Sequence, residues 1–247
     1  MTSHSTKKVS FHIFVSLYFY LILIKIFLSA YFKIIFHQFN WQIYVEYSKK
    51  IVDLVRKFGT KVYIEGEQIL ATINRPVVII SNHMSSLETF IFGYIFGRFF
   101  SISFIVKKSL IYYPFFGRIL RFLNPIVVSR KDPKKDYDIV KTQAEKLIKN
   151  GVSIIIFPQA TRSYYIDVDK FSSLGVKLAK KFQLDILPVC VKTDFLKIGR
   201  VWKEFGKVQP ENDVFIKIFS PIPYDSINKT TNKEIALLFR RTLSSLN

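Results

Sequence analysis

Residues 76–97 read PVVIISNHMSSLETFIFGYIFG. The first six, PVVIIS, form an apolar run of the kind a strand makes when both its faces are buried. SLETFIFGYIFG (86–97) reads as a helix. The polar turn between them carries His83, and Glu88 falls in the first turn of that helix. A strand that turns at once into a helix points to an α/β fold, where ligands gather at the carboxyl ends of the strands.

The same alternation extends in both directions. KVYIEG (61–66) precedes it as a strand. After it come a strand at ISFIVK (102–107), a broken helix at SLIYYPFFGRILRFL (109–123) and a strand at PIVVSR (125–130). DYDIVKTQAEKLIKN (136–150) is a helix ended by Gly151, followed by a strand at VSIIIFP (152–158). A helix at SSLGVKLAKKF (172–182), strands at DILPVCVK (185–192) and DVFIKIFS (213–220), and a helix at NKEIALLFRRTLSSL (232–246) complete the series. The pattern predicts one α/β domain over residues 59–247, with a mostly parallel or mixed central sheet flanked by helices. No internal repeat, low-complexity linker or second boundary interrupts it.

Residues 1–58 are different. VSFHIFVSLYFYLILIKIFLSAYFKIIF (9–36) would reach about 42 Å as a helix, beyond the roughly 30 Å hydrocarbon core of a bilayer. Lys25, Ser29 and Lys33 recur every four residues on one helical face. The first half therefore resembles a span and the second an amphipathic helix in the interface. A cleaved signal peptide fits poorly, because Lys25 breaks the tract and the bulky Leu28 stands where a small residue is expected. The segment is expected to be a retained membrane anchor, crossing the bilayer or dipping into one leaflet. The downstream positive charge favours a cytoplasmic C-terminal domain. WQIYVEYSKKIVDLVRKF (41–58) is a second amphipathic helix, suited to core packing or to membrane contact.

Lys and Arg number 37 against 18 Asp and Glu, a formal charge of +19 that favours anionic partners such as lipid headgroups, nucleic acid or an acidic carrier protein. Against nucleic acid, the aromatic residues concentrate in apolar runs and do not alternate with Lys and Arg on an open strand face. The single cysteine, Cys190, excludes an internal disulfide framework and reads as a small core residue.

Several chemistries are missing. There is no G-x-S-x-G, Walker A loop or G-x-G-x-x-G, and neither H-E-x-x-H nor paired C-x-x-C supplies a metal site. The other histidines, His4, His12 and His37, all lie in the N-terminal segment. Within the α/β domain His83 is thus the one imidazole available as a general base. A carboxylate can orient such a ring and stabilise its imidazolium, which gives Glu88 a role. Ser85-Ser86-Leu87-Glu88 is equally an S-x-x-E capping box, in which Glu88 bonds the backbone amide of Ser85. The stretch by itself fits either reading.

Four ordered segments widen the view: SNHMSSLET (81–89), the strand leading to Arg130, IIIFPQATRS (154–163) and DILPVCV (185–191). In order and spacing the chain resembles the glycerolipid and lysophospholipid acyltransferases over roughly residues 60–195. Their motifs are N-H-x-x-x-x-D, a strand ending in arginine, F-P-E-G-T-R-S and a proline-containing strand. The resemblance implies that His83 takes the proton from an acceptor hydroxyl, whose oxygen attacks the thioester of acyl-CoA or acyl-carrier protein. Glu88 would orient the histidine. Arg130 and Arg162 would hold the acceptor phosphate, a task suited to a planar, permanently charged fork, with Thr161 and Gln159 helping to shape that pocket. No cofactor or metal is implied. Read without the resemblance, Arg130 heads a charged loop, SRKDPKKD, and Arg162 could pair with Asp167 or Asp169.

Three positions depart from the family pattern. Glu88 replaces aspartate, Gln159 replaces glutamate and Ala160 replaces glycine. They bear on the acceptor more than on the reaction class. TFIFGYIFGRFF (89–100) could line an acyl tunnel or fill a Phe-rich core. The function expected is a membrane-bound O-acyltransferase acting on a lysophosphatidate-like lysophospholipid, with membrane lipids as partners. The alternative is a non-catalytic membrane-binding protein that retains the fold.

Overall fold

A computed structural model describes residues 2–246 apart from 160, 200–202 and 204, with side chains from residue 12 onward. Seven helices are described: α1 (Thr2–Ile35), α2 (Trp41–Lys57), α3 (Leu87–Phe96), α4 (Phe116–Phe122), α5 (Pro133–Lys149), α6 (Leu174–Phe182) and α7 (Thr231–Ser245). The strands are β1 (Val62–Glu65), β2 (Val78–Ser81), β3 (Ile102–Lys107), β4 (Ile126–Val128), β5 (Ser153–Ile156), β6 (Ile186–Lys192) and β7 (Val214–Ile218). They form one sheet in the order β1-β7-β6-β2-β5-β3-β4. Every neighbouring pair is parallel except β6–β7. Central β2 and β5 are buried at every residue, which explains their unbroken apolar runs.

Each face of the sheet has its own core. One is built by α1–α4 around Phe92, Phe96 and Phe104. The other is built by α5–α7 around Val140, Ala144 and Phe239. Cys190 lies in the second, 2% exposed, and burial pushes its thiol up to about 12. Helix α2 spends its apolar face on packing. Ser48 Oγ donates to the Phe90 carbonyl at 2.6 Å and accepts from Tyr94 N at 2.7 Å. Gly93 permits this crossing, since a Cβ there would lie 2.6 Å from the Tyr44 ring.

Helix α1 is two-faced. Phe19, Leu23, Phe27 and Ala30, at helical spacing, are buried in the same core as α2 and α3. Each large side chain so buried contributes about 1.5–3 kcal/mol. On the opposite face Phe14, Leu17, Leu21 and Phe32 are more than half exposed. Among the described residues, His12–Ile35 is the one helical stretch long and apolar enough to cross a membrane.

A long excursion between β6 and β7 ties α1 down. It closes on itself through a Leu196–Val208 bridge. Tyr20 OH donates to the Gly206 carbonyl at 2.6 Å, and Val208 N donates to Ser16 Oγ at 2.9 Å. Only glycine fits at 206, because a Cβ would collide with the Lys197 carbonyl.

Candidate active site

β2 delivers the chain to the site, and Asn82 fixes its exit. The Asn82 amide donates to the Val191 carbonyl at 2.8 Å and accepts Val191 N at 2.7 Å, extending the β2–β6 ladder by one side chain. His83 follows, its backbone held at both ends by the loop after β5. His83 N donates to Gln159 Oε1 at 2.9 Å, and Ser163 N donates to the His83 carbonyl at 2.8 Å. The ring stacks on Phe157 with centroids 4.2 Å apart. Burial first, then the positive charges of Arg162 and Arg130, push the imidazole down to about 3. It is therefore neutral at physiological pH, the form that accepts a proton.

Glu88 is fully buried. Oε1 accepts Met84 N at 2.6 Å, Ser85 N at 2.8 Å and Thr193 Oγ1 at 2.8 Å. The Glu88–Ser85 half of the capping box is thus present. The Ser85 hydroxyl accepts from Leu87 N at 3.0 Å. The same carboxylate faces the imidazole, with Oε2 3.9 Å from His83 Nδ1. That is beyond hydrogen-bond reach, and Nδ1 has no hydrogen-bond partner. A closure of about 1 Å would make the bond, and catalytic hydrogen bonds often tighten only when substrate binds. Burial pushes the carboxyl above its ordinary range, against the pull of Ser85 N, Thr193 Oγ1 and Met84 N.

Arg130 and Arg162 line one cavity with His83. Arg130 sits just past β4 in the left-handed region, at φ 60°. Asp136 holds it there, its carboxylate accepting Ser129 N at 2.8 Å and Arg130 N at 2.7 Å. Arg162 donates to the Lys203 carbonyl at 2.6 Å. Asp167 and Asp169 pair instead with Lys170 and Lys233. Desolvation and the Arg162 charge both weigh on the Arg130 guanidinium. An arriving anion would relieve that repulsion.

Gln159 lies behind the histidine and bridges two loops, its Nε2 donating to the Tyr165 carbonyl at 3.0 Å. Thr161 is exposed beside Arg162. Ala160 lies outside the described residues. Asn82 entered the sequence reading only as the first letter of the N-H motif, Asp136 and Thr193 were given no role, and Asp136 was hidden in a charged run that resembles a solvated loop. Among the described residues no group of three or more His, Cys, Asp or Glu could hold a metal ion.

The cavity measures about 1220 Å³ and straddles the carboxyl edge of the sheet. One arm runs between α1, α3, α4 and β3, past Leu23, Phe27, Phe90, Phe104 and Leu110. Of the tract 89–100, Thr89 and Phe90 line it, while Phe92, Ile95 and Phe96 fill the core. The other arm opens on the opposite sheet face between α5 and α6, past Val128, Val140, Ile156 and Leu174. His83, just past the end of β2 at the centre of the sheet, lines the same cavity.

Comparison with known proteins bears on the family and the fold. The chain is similar to the 1-acyl-sn-glycerol-3-phosphate acyltransferase of Pseudomonas aeruginosa, 35% identical over 132 residues that cover 53% of this chain and 48% of that one. It is 27% identical over 180 residues to the enzyme of the same name from Saccharomyces cerevisiae, covering 72% and 57%. The chain thus spans about half of the length of these relatives. In fold it is similar to the crystal structure of the 1-acyl-sn-glycerophosphate (LPA) acyltransferase from Thermotoga maritima, with TM-score 0.70, 23% identity and 95% of both chains covered. Residues 61–192, just over half of the chain, match the acyltransferase family and contain both the histidine turn and the two arginines, so the protein belongs to that family.

Proposed function

We propose that the protein is a membrane-associated O-acyltransferase that transfers a fatty acyl group from an acyl thioester to the hydroxyl of a lysophosphatidate-like lipid. The observation that carries this reading is a largely enclosed His83, stacked on Phe157 and sharing one cavity with two arginines, in a chain of the acyltransferase family. Arg130 and Arg162 would grip the acceptor phosphate and set its hydroxyl against His83. The imidazole takes the hydroxyl proton as the oxygen attacks the thioester carbonyl. The tetrahedral oxyanion collapses, the C–S bond breaks, and the imidazolium returns its proton to the leaving thiolate. Glu88 supports the transient imidazolium. Phosphate binding would also offset the two positive charges that depress His83, making it a stronger base when the acceptor is in place.

Membrane association is supported by the exposed apolar stripe of α1. Because α1 lies along the domain and lines the cavity, immersing the stripe in one leaflet would bring that cavity to the lipid, with the catalytic domain on the cytoplasmic face. The test is formation of diacyl lipid by the purified protein from a panel of lysolipids and acyl donors. Product that disappears with His83→Ala is expected. Vesicle binding with no acyl transfer to any acceptor would establish the non-catalytic alternative.

A further inference from the structure

We infer that the arm of the cavity between α5 and α6 receives the phosphopantetheine portion of the acyl donor, the part that acyl-CoA and acyl-carrier protein share. This rests on the acyltransferase reading above. The cavity that holds His83 is lined by residues from the cores on both faces of the sheet, and the two sets of lining residues differ in chemistry. The arm beside α1 is lined by Leu23, Ile24, Phe27, Phe90 and Phe116. The wall helix that bounds it carries the exposed apolar stripe on its other side. That arm suits hydrocarbon entering from lipid.

The α5–α6 arm has apolar walls and a polar rim of Tyr137, Ser172, Ser173 and Lys177. Asp136 is at the same rim, but its carboxylate is engaged by the Ser129 and Arg130 amides. A hydrocarbon chain there would strip water from these hydroxyls and give no hydrogen bond in return. Pantetheine has the opposite character: a slender chain interrupted by amides, with a phosphate at its far end. The hydroxyls match the amides, and the exposed Lys177 ammonium at the mouth matches the phosphate. With the arm so filled, the thioester lies at His83, the acyl chain continues into the α1 arm, and the freed thiol leaves on the face away from α1.

Steady-state kinetics of the full-length protein test this, with acyl-CoA and acyl-carrier protein as separate donors and free CoA or unacylated carrier protein as product inhibitor. Ser173→Phe should raise the donor KM at least tenfold and weaken product inhibition by a similar factor, leaving the acceptor KM unchanged. The effect should appear with whichever donor the wild type uses, since the arm is common to both. Leu110→Trp, in the other arm, should change acyl-chain-length preference and leave product inhibition intact. The inference is overturned if Ser173→Phe alters chain-length preference or acceptor KM while product inhibition stays unchanged. Lys177→Glu, at an exposed position that folding tolerates, gives a second reading. A folded Lys177→Glu enzyme with unaltered donor KM also overturns it. A wild-type protein that transfers from neither donor and binds neither free CoA nor carrier protein would instead remove the acyltransferase reading, and this inference with it.

Discussion

Gln159 holds the backbone of His83, accepting its N–H at 2.9 Å, while the other end of the same amide donates to the Tyr165 carbonyl at 3.0 Å. One side chain thereby braces the His83 turn against the loop that bears Arg162. Glutamate, which the family pattern has at this position, would keep the first bond and set an anion against the Tyr165 carbonyl. Gln159→Glu should therefore lower kcat, although it restores the family residue. A neutral hydrogen bond contributes about 0.5–1.5 kcal/mol, so a loss of roughly two- to tenfold is expected. Initial rates at saturating substrate check it. A rate above wild type would show that charge at this position outweighs the brace.

Glu88 bonds the turn amides and faces His83, the proposed base, and substitution separates the two roles. Gln keeps an oxygen for Met84 N and Ser85 N and loses the negative charge. Glu88→Gln should melt within a few degrees of wild type and lose about 10²–10⁴ in acyl transfer, the range of general-base catalysis. Thr193→Val removes a donor from the buried carboxylate and should cost about 1–3 kcal/mol of stability. A fully active, folded Glu88→Gln enzyme would leave Glu88 as a cap alone.

The arginine pair should act on the acceptor. Arg130→Lys and Arg162→Lys keep charge and lose the bidentate fork, removing up to about 1.5–3 kcal/mol of charge-assisted bonding. The acceptor KM should rise about tenfold or more while the donor KM stays in place. Unaltered acceptor kinetics in folded variants would contradict the assignment.

Acid sensitivity follows from His83. Its ordinary value is 6.5, and in the fold it is pushed down to about 3. Between these values the unfolded chain binds a proton that the folded chain refuses. The contribution to stability is thus whole above about pH 6.5 and shrinks as pH falls toward 3, by up to roughly 1.4 kcal/mol per pH unit. His83→Gln should flatten this part of the stability profile, as chemical denaturation at stepped pH would reveal. An identical slope in the variant would place the sensitivity elsewhere.

The two faces of α1 should respond differently. Leu17→Ser with Leu21→Ser alters positions 58% and 51% exposed and should reduce vesicle binding about tenfold with little change in melting temperature. Leu23→Ala, at a position 1% exposed, should cost about 2–5 kcal/mol of stability. Unchanged vesicle binding by the double variant would refute lipid contact through that stripe.

Much of this fold could be read from the sequence, because the strands of a doubly covered sheet must be apolar throughout. PVVIIS, ISFIVK and VSIIIFP announced β2, β3 and β5, and the broken helix at 109–123 is a 3-10 turn, Lys108–Tyr112, followed after Pro114 by α4. Strand order left no such mark. Nothing in DVFIKIFS shows that β7 runs antiparallel to β6 and parallel to β1, since pairing direction is set by the path of the intervening excursion. At the site, His83, Arg130 and Arg162 do line one cavity. The supports of these residues were not legible. Asn82 and Thr193 act through partners more than a hundred residues away, of which local spacing carries no trace, and Asp136 acts on backbone amides six and seven residues before it, inside a run of charges that reads as solvated.

The anchorage of α1 also dictates the order of assembly. Ser16 and Tyr20 take partners 192 and 186 residues later in the chain. During synthesis α2, α3 and α4 can cover Phe27 and Ala30 soon after α1 emerges, yet the partners of Ser16 and Tyr20 do not exist until the β6–β7 excursion has been made. Until then the N-terminal half of its inner stripe, at Phe19, lacks its Phe195 partner while the outer stripe is bare, and a nascent chain with so much open apolar surface is prone to aggregate. A bilayer that takes up the helix in that interval would act as an early folding partner, and docking of its N-terminal half onto the excursion would be among the last events in maturation.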